Sequence, residues 1–176
     1  DRLVELAGAN DLDVVLSVIP ELQPHWIHRI VPGSEMIDCR GHKVPSSNRN
    51  ECHFGITPGG CTDHPEVWAR MAAFIEAVVT RYKDQPHLHG WDIWNELRWN
   101  VQAGELVCYC PHSLEAFRGW LRGQFGDLDG LNRAWQRRYD SWGDVMPGIA
   151  TGRPFTESLA YARFIRWRCA EQASKR

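Results

Sequence analysis

No stretch of the 176 residues approaches the ~18 consecutive apolar positions that a membrane-spanning helix needs, so a membrane protein is not expected. Nor is there an excess of charge: 20 Lys and Arg face 22 Asp and Glu, the formal charge is −2, and the basic residues are scattered. Without a basic field there is little to hold a phosphate backbone, and nucleic acid is not expected as a partner. The opening Asp1-Arg2-Leu3-Val4-Glu5-Leu6 lacks the charged and apolar regions of a secretory signal, no internal repeat is present, and no Cys-x-x-Cys knuckle occurs. An initiator Met is missing too, and both ends read as helix. Residues 1–176 are therefore expected to be one segment of a single larger domain, and a cytoplasmic parent is the default.

What is present is the composition of a globular protein, with 43% hydrophobic and 24% charged residues. Nine Trp stand out, since large flat amphipathic rings suit the apolar faces of sugars as well as protein cores. Six Cys, at 39, 52, 61, 108, 110 and 169, fit either disulfides in a secreted chain or metal ligation in a cytosolic one, and composition does not choose.

Residues 2–9 read as the tail of an amphipathic helix released by the Asn10-Asp11 turn. Leu12 to Ile19 follows as a β-branched run of the kind found in strands buried on both faces of a parallel sheet. From Pro20 to Cys61 the chain is rich in Pro, Gly, Ser, Asn and His, which predicts a long functional loop with a short helical stretch around Pro24 to Arg29. Asp63 is expected to cap a helix with Pro65 in its first turn and Glu66 third; Val67, Met71, Phe74, Ile75, Val78 and Tyr82 follow at helical spacing. Asp84 and Pro86 end it, and Leu88 to Trp94 reads as a second strand leading to Asn95-Glu96. Further helices are expected over 113–125, 128–138 and 156–174. The order strand, helix, strand argues for a parallel sheet covered by its crossovers, although a complete barrel has eight strands.

In a (β/α)8 barrel the carboxyl ends of the strands face the active site. A partly desolvated carboxyl at such a rim is suited to general-acid work, and Glu96 follows a strand end of this kind. An isolated Asn-Glu pair carries little, because Glu96 could equally start a solvated loop or pair with Arg98. The force lies in Trp91-Asp92-Ile93-Trp94-Asn95-Glu96 as a unit, where aromatic, apolar and polar residues lead into one carboxylate, which suits a sugar site better than a random surface turn.

Gly90 to Glu96 resembles the fourth-strand motif of retaining barrel glycosidases, the superfamily of β-galactosidases and many cellulases. Cys108-Tyr109-Cys110-Pro111-His112-Ser113, with Phe117-Arg118-Gly119-Trp120-Leu121, Leu131-Asn132 and Ala134-Trp135, is similar to the segment after the acid/base in glycoside hydrolase family 42 β-galactosidases. Asp11 to Ile19 and Pro24-His25-Trp26 resemble that family's third strand and the loop after it. The resemblance implies an α/β fold, a partial (β/α)8 TIM barrel from about strand 3 through the helices after strand 4. It implies retaining hydrolysis of terminal β-D-galactosides, with Glu96 as proton donor and Asn95 binding the sugar near its 2-hydroxyl. The family's nucleophile lies on the seventh strand, outside this chain, so the isolated chain is expected to be inactive.

Arg49 matches a sugar-contacting arginine of the family, and Trp94 and His53 are further substrate-binding candidates. The resemblance also implies a structural zinc held by four Cys. Cys61, Cys108 and Cys110 fall at matching places, but the last position is Ser113, a poor zinc ligand beside a thiolate. Cys52, His64 or His112 could supply a fourth ligand, and free or disulfide-linked loop cysteines are the alternative. Cys39 and Cys169 have no assigned partner. No cofactor is expected for the chemistry, the partner is a carbohydrate substrate, and a homo-oligomeric parent is left open. Two other readings stand: a barrel glycosidase of β-glucanase, mannanase or arabinosidase type, and a non-catalytic carbohydrate-binding module.

Overall fold

The structure is a computed structural model and describes residues 2–20, 23–24, 26–44, 59–93, 107–148 and 156–174. Helix α1 (Arg2–Ala9) buries Val4 and runs into a turn where Asp11 takes a left-handed φ of 60°, a conformation that Asp and Asn tolerate better than most residues. Strand β1 (Val14–Ser17) follows, shorter at both ends than the β-branched run. Next comes α2 (Ile27–Ile30), a single turn overlapping the expected helical stretch.

Where the sequence reads as loop, the structure has an antiparallel hairpin, β2 (Met36–Ile37) with β3 (Lys43–Val44). Its turn is closed by Asp38, whose Oδ1 accepts from the backbone N–H of both Arg40 and His42 at 2.8 Å, while Gly41 takes a φ of 86°. A polar, Gly-containing segment therefore makes a defined turn rather than an open loop.

Helix α3 (Pro65–Tyr82) places Pro65 at its first turn, where a missing N–H costs nothing. Val67 and Met71 pack against Ile27 and Val31, but Phe74, expected on the buried stripe, is 51% exposed. Strand β4 (Leu88–Asp92) then pairs with β1 in parallel, from Val15 opposite Gly90 to Ser17 opposite Asp92. Parallel neighbours require a crossover, and the segment carrying α3 supplies it. Contrary to a strand buried on both faces, Val15 is 58% exposed and the adjoining Leu12 59%. In a closed barrel the next strand and the helical layer provide that cover.

The remaining helices, α4 (Pro111–Phe125), α5 (Leu128–Trp135) and α6 (Thr156–Ser174), enclose the largest core. Phe117 and Leu121 of α4, Leu131 and Trp135 of α5, and Tyr161 and Phe164 of α6 meet there, with Val145 after the 3₁₀ turn Trp142–Asp144. The Phe117 ring stands edge-on to Tyr161 at 5.3 Å and to Phe164 at 5.5 Å, the arrangement aromatic quadrupoles favour. Helix α5 ends before the expected Arg138, with Gln136 closing it in the left-handed region. No helix among the described residues is long and apolar enough to cross a membrane.

Candidate functional site

The carboxyl ends of β1 and β4 are locked side by side. Val18 N–H donates to the Asp92 carbonyl at 2.6 Å, and Ser17 Oγ–H donates to Asp92 Oδ2 at 2.7 Å. Because the strands are parallel, their carboxyl ends lie on the same side of the sheet, and residues 94–96 follow β4 in the sequence. Trp94, Asn95 and Glu96 themselves lie outside the described residues, as do Arg49, His53 and Cys52. Of the described Trp, only Trp26, before α2, and Trp167, on α6, are strongly exposed, and they sit on different elements rather than along one strand or helix.

The second cluster is described in full. Cys61, Cys108 and Cys110 are completely buried, and their sulfurs lie within 4.8 Å of one another. Cys61 is delivered just before α3, by a turn whose Cys61 N–H donates to the Ser34 carbonyl at 2.7 Å. Cys108 and Cys110 lead into α4 beside the hairpin, where Asp38 bridges Val107 and Tyr109 N–H donates to the Ile37 carbonyl. Cys61 Sγ and Cys110 Sγ are 3.5 Å apart, much farther than a disulfide bond allows, and Cys39, Cys61, Cys108, Cys110 and Cys169 are all free thiols.

Backbone N–H groups point at these sulfurs: Ile37 and Cys110 donate to Cys108 Sγ at 3.4 Å, and Ser113 donates to Cys110 Sγ at 3.5 Å. The hydrogen bonds from Cys108 and then Cys61 pull the Cys110 thiol far below its ordinary value. Hydrogen bonding to Cys108 and Cys110, together with burial, pushes Cys61 up, and the contact with Cys110 does the same to Cys108. Three sulfurs at this spacing fit a zinc tetrahedron, whose edges are about 3.8 Å for Zn–S bonds of about 2.3 Å.

Asp63 is not the cap of α3. His64 takes that place, its Nδ1 accepting from Glu66 N–H at 3.2 Å. The Asp63 carboxylate instead turns inward, 1% exposed, accepting from Ser113 Oγ–H at 2.7 Å and from Arg168 Nε–H at 2.6 Å. Two such partners, one of them charged, outweigh a single helix N–H. The His64 and His112 rings meet at 4.4 Å, tilted by 59°, and neither joins the group of three sulfurs. Sequence reasoning missed this role of Asp63, and missed Arg168 and Tyr161, whose hydroxyl donates to the Cys108 carbonyl. Asp63 and Arg168 stand 105 residues apart, and no local pattern could have joined them.

The sequence model of the family glycoside hydrolase 42, described as β-galactosidase, matches residues 1–176. The chain belongs to glycoside hydrolase family 42. A β-galactosidase of Halorubrum lacusprofundi is 31% identical over 172 residues, covering 93% of this chain and 23% of that protein. One of Geobacillus kaustophilus is 26% identical, covering 94% and 24%. Among solved structures, the β-galactosidase of Halorubrum lacusprofundi superposes with a TM-score of 0.74 at 29% identity over 93% of this chain and 24% of its own. That of Bacillus circulans sp. alkalophilus gives 0.78 at 23% identity, over 97% and 25%. The chain thus spans about a quarter of the length of its family 42 relatives, and its fold is part of their α/β barrel.

Proposed function

We propose that this chain is the segment of a single catalytic barrel domain that carries the proton donor of a retaining β-galactosidase, Glu96. The observation that carries the reading is the parallel pairing of β1 with β4, which ends at Asp92, in a chain of family 42. The Asn95-Glu96 pair follows in the sequence from the strand end at which barrel enzymes assemble their chemistry. Asn95 then hydrogen-bonds the sugar near its 2-hydroxyl, and Arg49 and Trp94 add contacts to the ring. Glu96 protonates the departing glycosidic oxygen while a second carboxylate, contributed from outside residues 1–176, attacks the anomeric carbon. In the second step Glu96 removes a proton from the water that opens the covalent intermediate. The substrate is a β-galactoside, the parent is cytoplasmic, and nucleic acid and membrane play no part. No cofactor enters the chemistry.

Cys61, Cys108 and Cys110 would hold a structural zinc. The ion would cross-link the turn before α3 to the start of α4. The buried sulfurs and the N–H donors aimed at them support this.

The test is Glu96→Ala in the full-length protein, assayed on galactosides with good and poor leaving groups. Cleavage of poor leaving groups should fall by about 10²–10⁴-fold and that of activated ones far less, because only the former need the proton. Azide should rescue the stalled second step. Equal loss on both substrates would overturn the assignment. The isolated 176-residue chain should show no turnover, and measurable hydrolysis from it would contradict the division of the two carboxyls.

A further inference from the structure

The fourth corner of the thiol group is an oxygen. Ser113 Oγ, fully buried, lies 3.2 Å from Cys61 Sγ and 3.5 Å from Cys110 Sγ, and its single proton is directed to Asp63 Oδ2 at 2.7 Å. With that proton committed, the hydroxyl lone pairs are left for the side of the sulfurs. Asp63 is gripped on its other oxygen by Arg168 at 2.6 Å and Gln172 at 3.3 Å, both from α6. Thr62 Oγ1–H closes the ring by donating to Gln172 Oε1 at 3.0 Å. A buried carboxylate is costly unless fully paired, and here each oxygen has a partner.

Resting on the zinc reading above, we propose that Ser113 is the fourth zinc ligand, made adequate by Asp63, and that α6 is tied to the metal site through Arg168 and Gln172. A neutral hydroxyl alone competes badly beside thiolates. A hydroxyl whose proton leans on a buried carboxylate is a better electron-pair donor, in the way outer carboxylates raise the basicity of ligating imidazoles. The other candidates are worse placed. His64 is occupied as the cap of α3, and the Asp63 oxygens lie outside the compact group formed by the sulfurs. On binding, three sulfurs give electron pairs to the ion, the thiol protons still present leave to solvent, and Ser113 keeps its proton on the hydrogen bond to Asp63. Nothing is oxidised or reduced.

The experiment uses the full-length protein, with zinc content by elemental analysis, zinc affinity by competition against a chromophoric chelator, and the spectrum of the cobalt(II)-substituted form. Ser113→Ala and Asp63→Asn should each weaken zinc binding by about 10–100-fold. Ser113→Cys should tighten it and strengthen the thiolate-to-cobalt absorption by about a third, three sulfurs becoming four. In the Ser113→Cys background, Asp63→Asn should leave the affinity unchanged, because a thiolate needs no help from the carboxylate. That pair of variants carries the test even if Ser113→Ala does not fold. Equal weakening by Asp63→Asn in both backgrounds, or an affinity indifferent to Ser113→Ala, overturns the ligand assignment while leaving the zinc. An unsubstituted protein that binds no zinc overturns the zinc reading as well.

Discussion

The most exacting single substitution is Tyr161→Phe. Tyr161 is 1% exposed, its ring lies 5.3 Å from both Tyr109 and Phe117 and 5.9 Å from Phe164, and its hydroxyl donates to the Cys108 carbonyl. Removing the hydroxyl leaves all the ring contacts, so the apolar contribution is unchanged. What is lost is the donor to a carbonyl on a residue with no exposed surface, and a buried acceptor stripped of its partner costs about 1–3 kcal/mol. Tyr109 provides the control: its hydroxyl donates to the Gly148 carbonyl at 3.1 Å at a partly buried site. Water can replace it there, and Tyr109→Phe should cost only the net value of an ordinary hydrogen bond, about 0.5–1.5 kcal/mol. Burial pushes the Tyr161 hydroxyl up, so it remains a donor at any working pH, and the difference between the variants should be the same at about pH 6 and about pH 9. Guanidinium denaturation of the full-length protein, followed by Trp fluorescence, measures both. Were Tyr161→Phe no less stable than Tyr109→Phe, another donor would have to reach the Cys108 carbonyl, and the link between the aromatic core and the thiol centre would fail.

Asp127→Ala removes the cap of α5, where Oδ1 accepts from Gly130 N–H at 2.7 Å, and should lower the unfolding free energy from the same denaturation by about 0.5–2 kcal/mol, with Asp127→Asn nearly neutral. Glu157 is chelated by Arg137, with Nε–Oε1 at 2.6 Å and Nη2–Oε2 at 3.2 Å, and receives the Tyr139 hydroxyl at 3.2 Å. Burial pulls its pKa up, but the Arg137 hydrogen bonds and charge prevail and hold it below the ordinary 4.5. A depressed carboxyl stabilises the fold above its unfolded pKa and loses that contribution as pH falls through the folded value. Glu157→Gln should therefore flatten the fall in thermal midpoint below about pH 4.5. Identical acid limbs for the two proteins would remove Glu157 from the account.

The elements that were legible in the sequence are those made by local chemistry. Helix α6 runs from Thr156 to Ser174, the expected span, and α3 starts at Pro65 and stops at Tyr82, before Asp84 and Pro86, because prolines and helical spacing act within a few residues. The hairpin of β2 and β3 was not legible. Its strands have two residues each, and they are held by partners far along the chain, such as the Ile37 carbonyl that accepts from Tyr109 N–H. Strand β1 shows a third case. Leu12 and Val15 have the chemistry of a doubly covered strand, yet they are exposed in this chain, which spans about a quarter of its family 42 relatives, and the sequence of one segment does not show which of its apolar residues are covered within it.

Asp63 shows why the site was harder to read than the fold. Every local signal makes it a helix cap: an acidic residue, then His64, Pro65 and Glu66. Locally, a cap and an outer-shell carboxylate look alike, since both are short acidic side chains at the mouth of a helix. The choice between them is made by Arg168 and Ser113, 105 and 50 residues away, which together offer a charge and a hydroxyl where the helix offers one N–H. Once Asp63 is drawn inward, the cap falls to His64, which is thereby withdrawn as a metal ligand. The same exchange leaves Ser113 a neutral hydroxyl, but one whose proton is held by a buried carboxylate, which the sequence does not show. In isolation it is a gap in a row of cysteines. With a buried carboxylate behind it, the hydroxyl and Asp63 form one unit, so that on the proposed zinc reading changing Asp63 alone should weaken zinc binding as losing the hydroxyl does.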